Sequence, residues 1–144
     1  SLSINNLAKK DLLIAFNSIH NFDIICLSET YLNSSYAPGD KDLQIDNYTM
    51  IRADHSMDIK RGGVSVYYKG YLAVAVLNFS LLSECIILEI EVDNKKIILL
   101  ALYRSPLQYP EMFTEFIENF ESDLKTIYSF QLYLIPVIEG FNVK

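Results

Sequence analysis

Residues 22–29 read FDIICLSE, an unbroken apolar run closed by acidic residues and too short to form a helix of its own. A strand with one wet face alternates, so a continuous run of this kind belongs to a strand covered on both sides. Ahead of it, between Leu7 and Phe22, Leu12, Leu13, Phe16 and Ile19 recur at helical spacing, with Lys9, Lys10 and Asn17 on other faces. That pattern predicts an amphipathic helix. A helix feeding a doubly buried strand points to an α/β protein.

The rest of the chain is strand-rich. Strands are predicted at Tyr48 to Arg52, Gly63 to Tyr68, Ala73 to Leu77, Cys85 to Val92 and Ile97 to Tyr103, with a last one at Leu132 to Ile138. In CIILEIEV, Ile87, Glu89 and Glu91 alternate with Ile86, Leu88, Ile90 and Val92, so one face of that strand is wetter than the other. DNKK at 93–96 and KRGG at 60–63 read as hairpin turns, which imply antiparallel pairing. Pro110 opens a second predicted helix, with Phe113, Phe116, Ile117, Phe120, Leu124 and Ile127 on one stripe. Residues 30–47 are rich in Asn, Ser, Asp, Gly and Pro and read as a long loop of turn chemistry rather than core. The resulting class is mixed α/β (α+β), with helices covering an antiparallel-rich sheet.

At 144 residues, 51% hydrophobic and 21% charged, the chain has the size and composition of one folded domain. A net charge of −6 disfavours nucleic-acid binding by charge alone. Any DNA contact must then be local, with Arg52, Lys60, Arg61 and Lys69 as candidates. Cys26 and Cys85 sit among aliphatic residues as small core hydrophobes, which suggests a reducing, intracellular compartment, nuclear or cytoplasmic. No signal peptide or membrane-length apolar run is present, so no membrane partner is expected, and the sequons at Asn33, Asn47 and Asn78 are read as chance. The chain opens on Ser1 and stops directly after a predicted strand, from which both ends are expected to be cut.

The chemistry is expected where apolar strands end in acids, because a carboxylate at the mouth of a sheet binds a hard cation such as magnesium through oxygen. Glu29, directly after DIICLS, is such a residue. LSINNL at 2–7, YRSP at 103–106 and EGFN at 139–142 lie at further strand ends or turns. Together with DIICLSETYL and RADH…KRGGVSVYYK, these segments resemble the endonuclease domain of non-LTR (LINE-type) retrotransposons. That domain belongs to the endonuclease/exonuclease/phosphatase superfamily, with exonuclease III-like and pancreatic deoxyribonuclease-like enzymes. The resemblance runs from Ser1 to Lys144 in order and covers the N-terminal portion of such a domain.

The resemblance implies two packed β-sheets flanked by helices, truncated here before the second sheet is complete, and a Mg2+-dependent site that cleaves DNA. Glu29 corresponds to the metal ligand, Tyr103 and Asn142 to catalytic residues, and Arg104 and Asn5 to substrate-binding ones. It also implies fusion, in full length, to a reverse transcriptase domain. Two positions depart from the family pattern: Gly140 stands where the family has a metal-site Asp, and Ser3 where it has an Asn. A Ser-Asp-His motif that supplies the family's general base is absent from these 144 residues.

Glu139 lies one residue from the Asp position, and strand alternation turns it to the other face. His55 is read as a surface or turn residue, and His20 as a helix C-terminal one. The expectation is therefore a catalytically inactive fragment. The alternatives are a non-catalytic relic that binds nucleic acid or protein, and a phosphoesterase of the same superfamily acting on inositol or lipid phosphates. An incomplete second sheet should also leave an apolar sheet face exposed and promote self-association.

Overall fold

In a computed structural model, the described residues are 7–32, 41–54, 62–77 and 84–103, with 111, 114, 115, 117–119, 121 and 122. They fall in two compact units, one within Ser1–Tyr103 and the other within Arg104–Glu139. In the first, helix α1 (Leu7–His20) is followed by strands β1 (Ile24–Ser28), β2 (Tyr48–Ala53), β3 (Val64–Lys69), β4 (Ala73–Leu77), β5 (Cys85–Val92) and β6 (Lys95–Leu102). In the second, residues 111, 114, 115, 117–119, 121 and 122 are helical, and the polar positions Glu111, Thr114, Glu115, Glu118 and Asn119 are exposed. Lys60, Arg61, His55 and the predicted strand at 132–138 lie outside the described residues.

Among the described residues, six strands form two antiparallel sheets, ordered β1-β3-β2 and β4-β5-β6. The two packed sheets implied by the resemblance are present, each with three strands among the described residues. The β3–β4 connection moves the chain from the first sheet to the second, and the two stack face to face. Val64 and Val66 of β3 meet Ile86, Leu88 and Ile90 of β5 and Ala101 of β6 in the layer between them. Face-to-face stacking of this kind buries one side of each sheet.

The opposite side of the first sheet carries a second core of Ile25, Leu27, Tyr67, Leu32, Leu43 and Ile45, with Leu13 of α1 packed against it. Strand β1 therefore feeds both cores, Ile25 and Leu27 into one and Ile24 and Cys26 towards the other. That accounts for its unbroken apolar run. Leu32, Leu43 and Ile45 correct the reading of 30–47 as turn chemistry alone, since they are buried among its turn-forming neighbours.

Helix α1 ends where Asn21 enters the left-handed region (φ 51°), and the Asn21 N–H reaches the Asn17 carbonyl at 2.6 Å. This is a left-handed C-terminal cap, a role in which Asn is second only to Gly. The Asn17 side chain accepts from the Phe22 N–H at 3.0 Å and donates to the Tyr48 hydroxyl, itself bonded to the Phe22 carbonyl. Asn17, read as a solvent-face residue, is thus the link between the helix end and β2. Leu12, Ile14, Phe16 and Ile19 of α1 are exposed, and so are Val76, Val92 and Ile97, which share the face of the second sheet that carries Leu88 and Ile90, so part of that apolar face is open.

The β5–β6 turn is tighter than DNKK suggested. Only Asp93 and Asn94 lie between the strands, both with positive φ (50° and 59°), and Lys95 already pairs with Val92. Two left-handed residues in a two-residue loop give the turn whose twist matches the flanking strands. No described helix is long and apolar enough to cross a membrane.

Both cores hold titratable groups in their neutral forms. Burial pushes the Cys85 thiol from 9.0 up to about 11 and raises Cys26 as well. It lifts the Tyr67 phenol well above 10.0, against a smaller opposing pull from the charge of Arg52. Each folded-state value lies above its unfolded one, so the stability they contribute is complete below about pH 9 and is lost as pH rises through the folded values. Thermal midpoints measured from about pH 8 to about pH 11 are expected to fall throughout the upper part of that range. A flat profile would contradict this burial.

Candidate functional site

At the end of β1, the pairing with β3 slips by one residue. Ser28 sits opposite Val64, but the next bonds run from the Thr30 N–H to the Gly63 carbonyl (3.3 Å) and from the Tyr31 N–H to the Gly62 carbonyl (3.0 Å). Glu29 is the extra residue, and its φ is 54°. Such a bulge bends the strand and re-aims a side chain, with Gly as its usual left-handed residue. A Glu in that conformation costs about 1–2 kcal/mol of backbone strain. Tyr31 is also left-handed, with φ 56°.

The second sheet supplies the facing side. The β5–β6 ladder continues one step beyond Cys85 and Leu102, with the Tyr103 N–H donating to the Glu84 carbonyl at 3.0 Å. Glu84 is in phase with Ile86, Leu88 and Ile90, so its side chain follows theirs into the space between the sheets. It is 5% exposed. Its carboxylate accepts from the Gly63 N–H at 3.3 Å.

These two ends meet. The Tyr103 hydroxyl donates to Glu29 Oε1 at 3.3 Å, and the Tyr31 hydroxyl to Glu29 Oε2 at 3.4 Å. Tyr103's phenol is held above its usual 10.0, first by burial and then by the negative charge and hydrogen bond of Glu29, with a smaller contribution from Glu84. The phenol has one proton to donate, and Glu29 takes it here, so another acceptor would have to draw it away from Glu29.

Gly62 and Gly63, both buried with positive φ (63° and 83°), make this approach possible. A methyl group on Gly62 would lie 2.5 Å from Glu84 Oε1 and 2.9 Å from Tyr103 Cε1. The pair read from sequence as a hairpin turn is therefore also the floor between Glu84, Tyr103 and Thr30.

Of the residues named from the sequence, the structure brings Glu29 and Tyr103 together. Asn5, Ser3, Arg104, Gly140 and Asn142 lie outside the described residues. The sequence reading missed Tyr31, Gly62, Gly63 and Glu84 as parts of this site. The signal for Glu84 was present: an acid placed in phase with the apolar face of the strand that follows it.

The candidate basic patch is not assembled by Arg52 and Lys69. Arg52 pairs across from Ser65 and Tyr48 from Lys69, which sets the two basic residues about four residues, or roughly 13 Å, apart along the sheet. Each also lies beside an acid: Arg52 is 3.4 Å from Asp54, and Lys69 is 3.7 Å from Asp23.

No family model matches the chain, and no curated protein matches it. Among solved structures, an AP endonuclease from Leishmania major matches with a TM-score of 0.60 at 18% sequence identity, over 87% of this chain and 44% of that one. The fold is similar to that of an AP endonuclease. The chain thus spans less than half the length of the enzyme chain it matches. The expected mixed α/β class with antiparallel sheets stands.

No group of three or more His, Cys, Asp or Glu side chains suited to a metal occurs among the described residues. The site does present one carboxylate, Glu29, on a strand end. Magnesium is held through one or two carboxylates and keeps several waters, so this oxygen donor fits it.

Proposed function

We propose that the chain is the N-terminal portion of a Mg2+-dependent phosphodiesterase domain of the endonuclease/exonuclease/phosphatase superfamily, of the non-LTR retrotransposon type, and that this portion does not itself cleave DNA. In full length, such a domain nicks DNA to prime reverse transcription and is fused to a reverse transcriptase. The observation that carries the reading is the meeting of Glu29 and Tyr103. Two sheets deliver a carboxylate on a strained bulge and a protonated phenol to one point, at the two motifs that resemble the family's metal ligand and catalytic Tyr.

In this reading, Glu29 would hold the ion, which would release the Tyr103 hydroxyl from Glu29 to donate to a phosphate oxygen instead. Magnesium, when bound, neutralises charge on the phosphate as it builds. Arg104 and Asn5 would contact the DNA, and Asn142 would be a catalytic residue together with Tyr103. Gly140 withholds a carboxylate and Ser3 an amide. Absence of a positioned general base costs about a hundred-fold to ten-thousand-fold in rate. An intracellular setting, nuclear or cytoplasmic, completes the reading.

A non-catalytic relic remains the second reading, favoured by the net charge of −6 and by the acids beside Arg52 and Lys69. DNA affinity of this portion is then weak. Supercoiled plasmid incubated with magnesium and either the chain or its Glu29→Ala variant tests both readings. The expected result is no nicking above the variant's background. Nicking that disappears in Glu29→Ala would overturn the inactivity and leave the metal-site reading in place.

A further inference from the structure

Glu84 has no part in the chemistry proposed above, yet a carboxylate so fully buried must be held for some reason, since burying a charge without partners is costly. Its contacts trace a closed circuit. From Glu29, the Tyr103 hydroxyl leads to the Tyr103 N–H and on to the Glu84 carbonyl. The Glu84 carboxylate then takes the Gly63 N–H, and the Gly63 carbonyl takes the N–H of Thr30, the residue next to Glu29. Two hydrogen-bonded links between the sheets at this end pass through the side chains of Glu84 and Glu29.

We propose that Glu84 is a positioning residue: by fixing the Gly62–Gly63 backbone between the two sheets, it sets the distance between the bulge at Glu29 and the Tyr103 phenol. This rests on reading the Glu29–Tyr103 pair as the functional site. Gly62 and Gly63 fit the role because their Cα atoms face Glu84 and Thr30 with no room for a side chain. A carboxylate suits it because a buried acceptor satisfies the Gly63 N–H in the narrow space between the sheets, where water does not compete.

The test uses the whole chain with 13C-labelled tyrosine, without DNA or magnesium, so its outcome is independent of the nicking experiment. The Tyr103 ζ-carbon signal among ten tyrosines is assigned by its loss in Tyr103→Phe, and Glu29→Ala gives the position of that signal without its carboxylate partner. Glu84→Ala is expected to shift the Tyr103 signal to the Glu29→Ala position. Glu84→Gln retains an acceptor for the Gly63 N–H and is expected to leave the signal at its wild-type position.

A wild-type Tyr103 signal in a folded Glu84→Ala chain would overturn the proposal, as would a Glu84→Gln signal that follows Glu84→Ala. Where Glu84→Ala fails to fold, Glu84→Asp decides, because it keeps the charge and shortens the reach. The shift is expected there too, and its absence would overturn the proposal.

Discussion

Replacing Tyr67 with alanine is expected to lower the unfolding free energy by about 3–5 kcal/mol, the largest single loss available in the first unit. Tyr67 is fully buried on the central strand of its sheet, in the cluster of Ile25, Leu27, Leu32, Leu43 and Ile45. Alanine would empty that space, and a rigid sheet closes such a cavity poorly. The hydroxyl adds a separate contribution, because it donates to the Leu43 carbonyl at 2.7 Å. Tyr67→Phe keeps the ring and orphans that carbonyl, at about 1–3 kcal/mol. Denaturant titrations of the two variants divide the packing from the hydrogen bond. A Tyr67→Ala loss below about 1 kcal/mol would show that the 41–47 segment is not fastened to the sheet as described.

The second large effect is expected at Gly63, where alanine brings two penalties. Its φ of 83° is one that L side chains rarely adopt, and the added methyl would lie 2.5 Å from the Thr30 hydroxyl oxygen. Thr30 is itself fully buried, so it has little freedom to swing aside. Left-handed backbone costs about 1–2 kcal/mol and overpacking about 1–3 kcal/mol, so Gly63→Ala is expected to lose about 2–5 kcal/mol. Companion Thr30→Ala and double variants measure the coupling. If Thr30→Ala recovers none of the Gly63→Ala loss, the crowding described between them is absent.

Legibility of the fold followed the strength of each local pattern. Ala73–Leu77 and Cys85–Val92 were readable to the residue, because alternation and turn residues agree there. Leu32, Leu43 and Ile45 were not, since three apolar residues scattered among Asn, Asp, Gly and Pro show no period, and only the sheet above them gathers them. Helix α1 was legible in extent but not in orientation. Leu13 meets the core while Phe16 and Ile19 face outward, and Asn17 turns inward to serve the cap.

At the site, Glu29 and Tyr103 were visible as motifs at strand ends. The bulge that brings them together was not, because it puts Glu where backbone geometry favours Gly, and no composition rule announces that choice. Glu84 escaped attention because its neighbours made it look like the start of a strand rather than a member of one. The separation of Arg52 from Lys69 followed from register, which sequence proximity does not reveal.

The two sheets differ in how far the chain must travel to make them. Strands β5 and β6 are joined by Asp93 and Asn94 alone, so their pairing closes a short loop, and such hairpins form within microseconds. Among the described residues, strand β1 finds its partner in β3, after the whole of residues 29–63 has been laid down. Bringing those ends together costs loop entropy before any pairing is returned. The β5–β6 hairpin is therefore the natural place for folding to begin, and the first sheet, with its Glu29 bulge, closes late. A chain that pauses between these steps holds β1 as an unpaired apolar strand, the form in which it is most open to pairing with another copy.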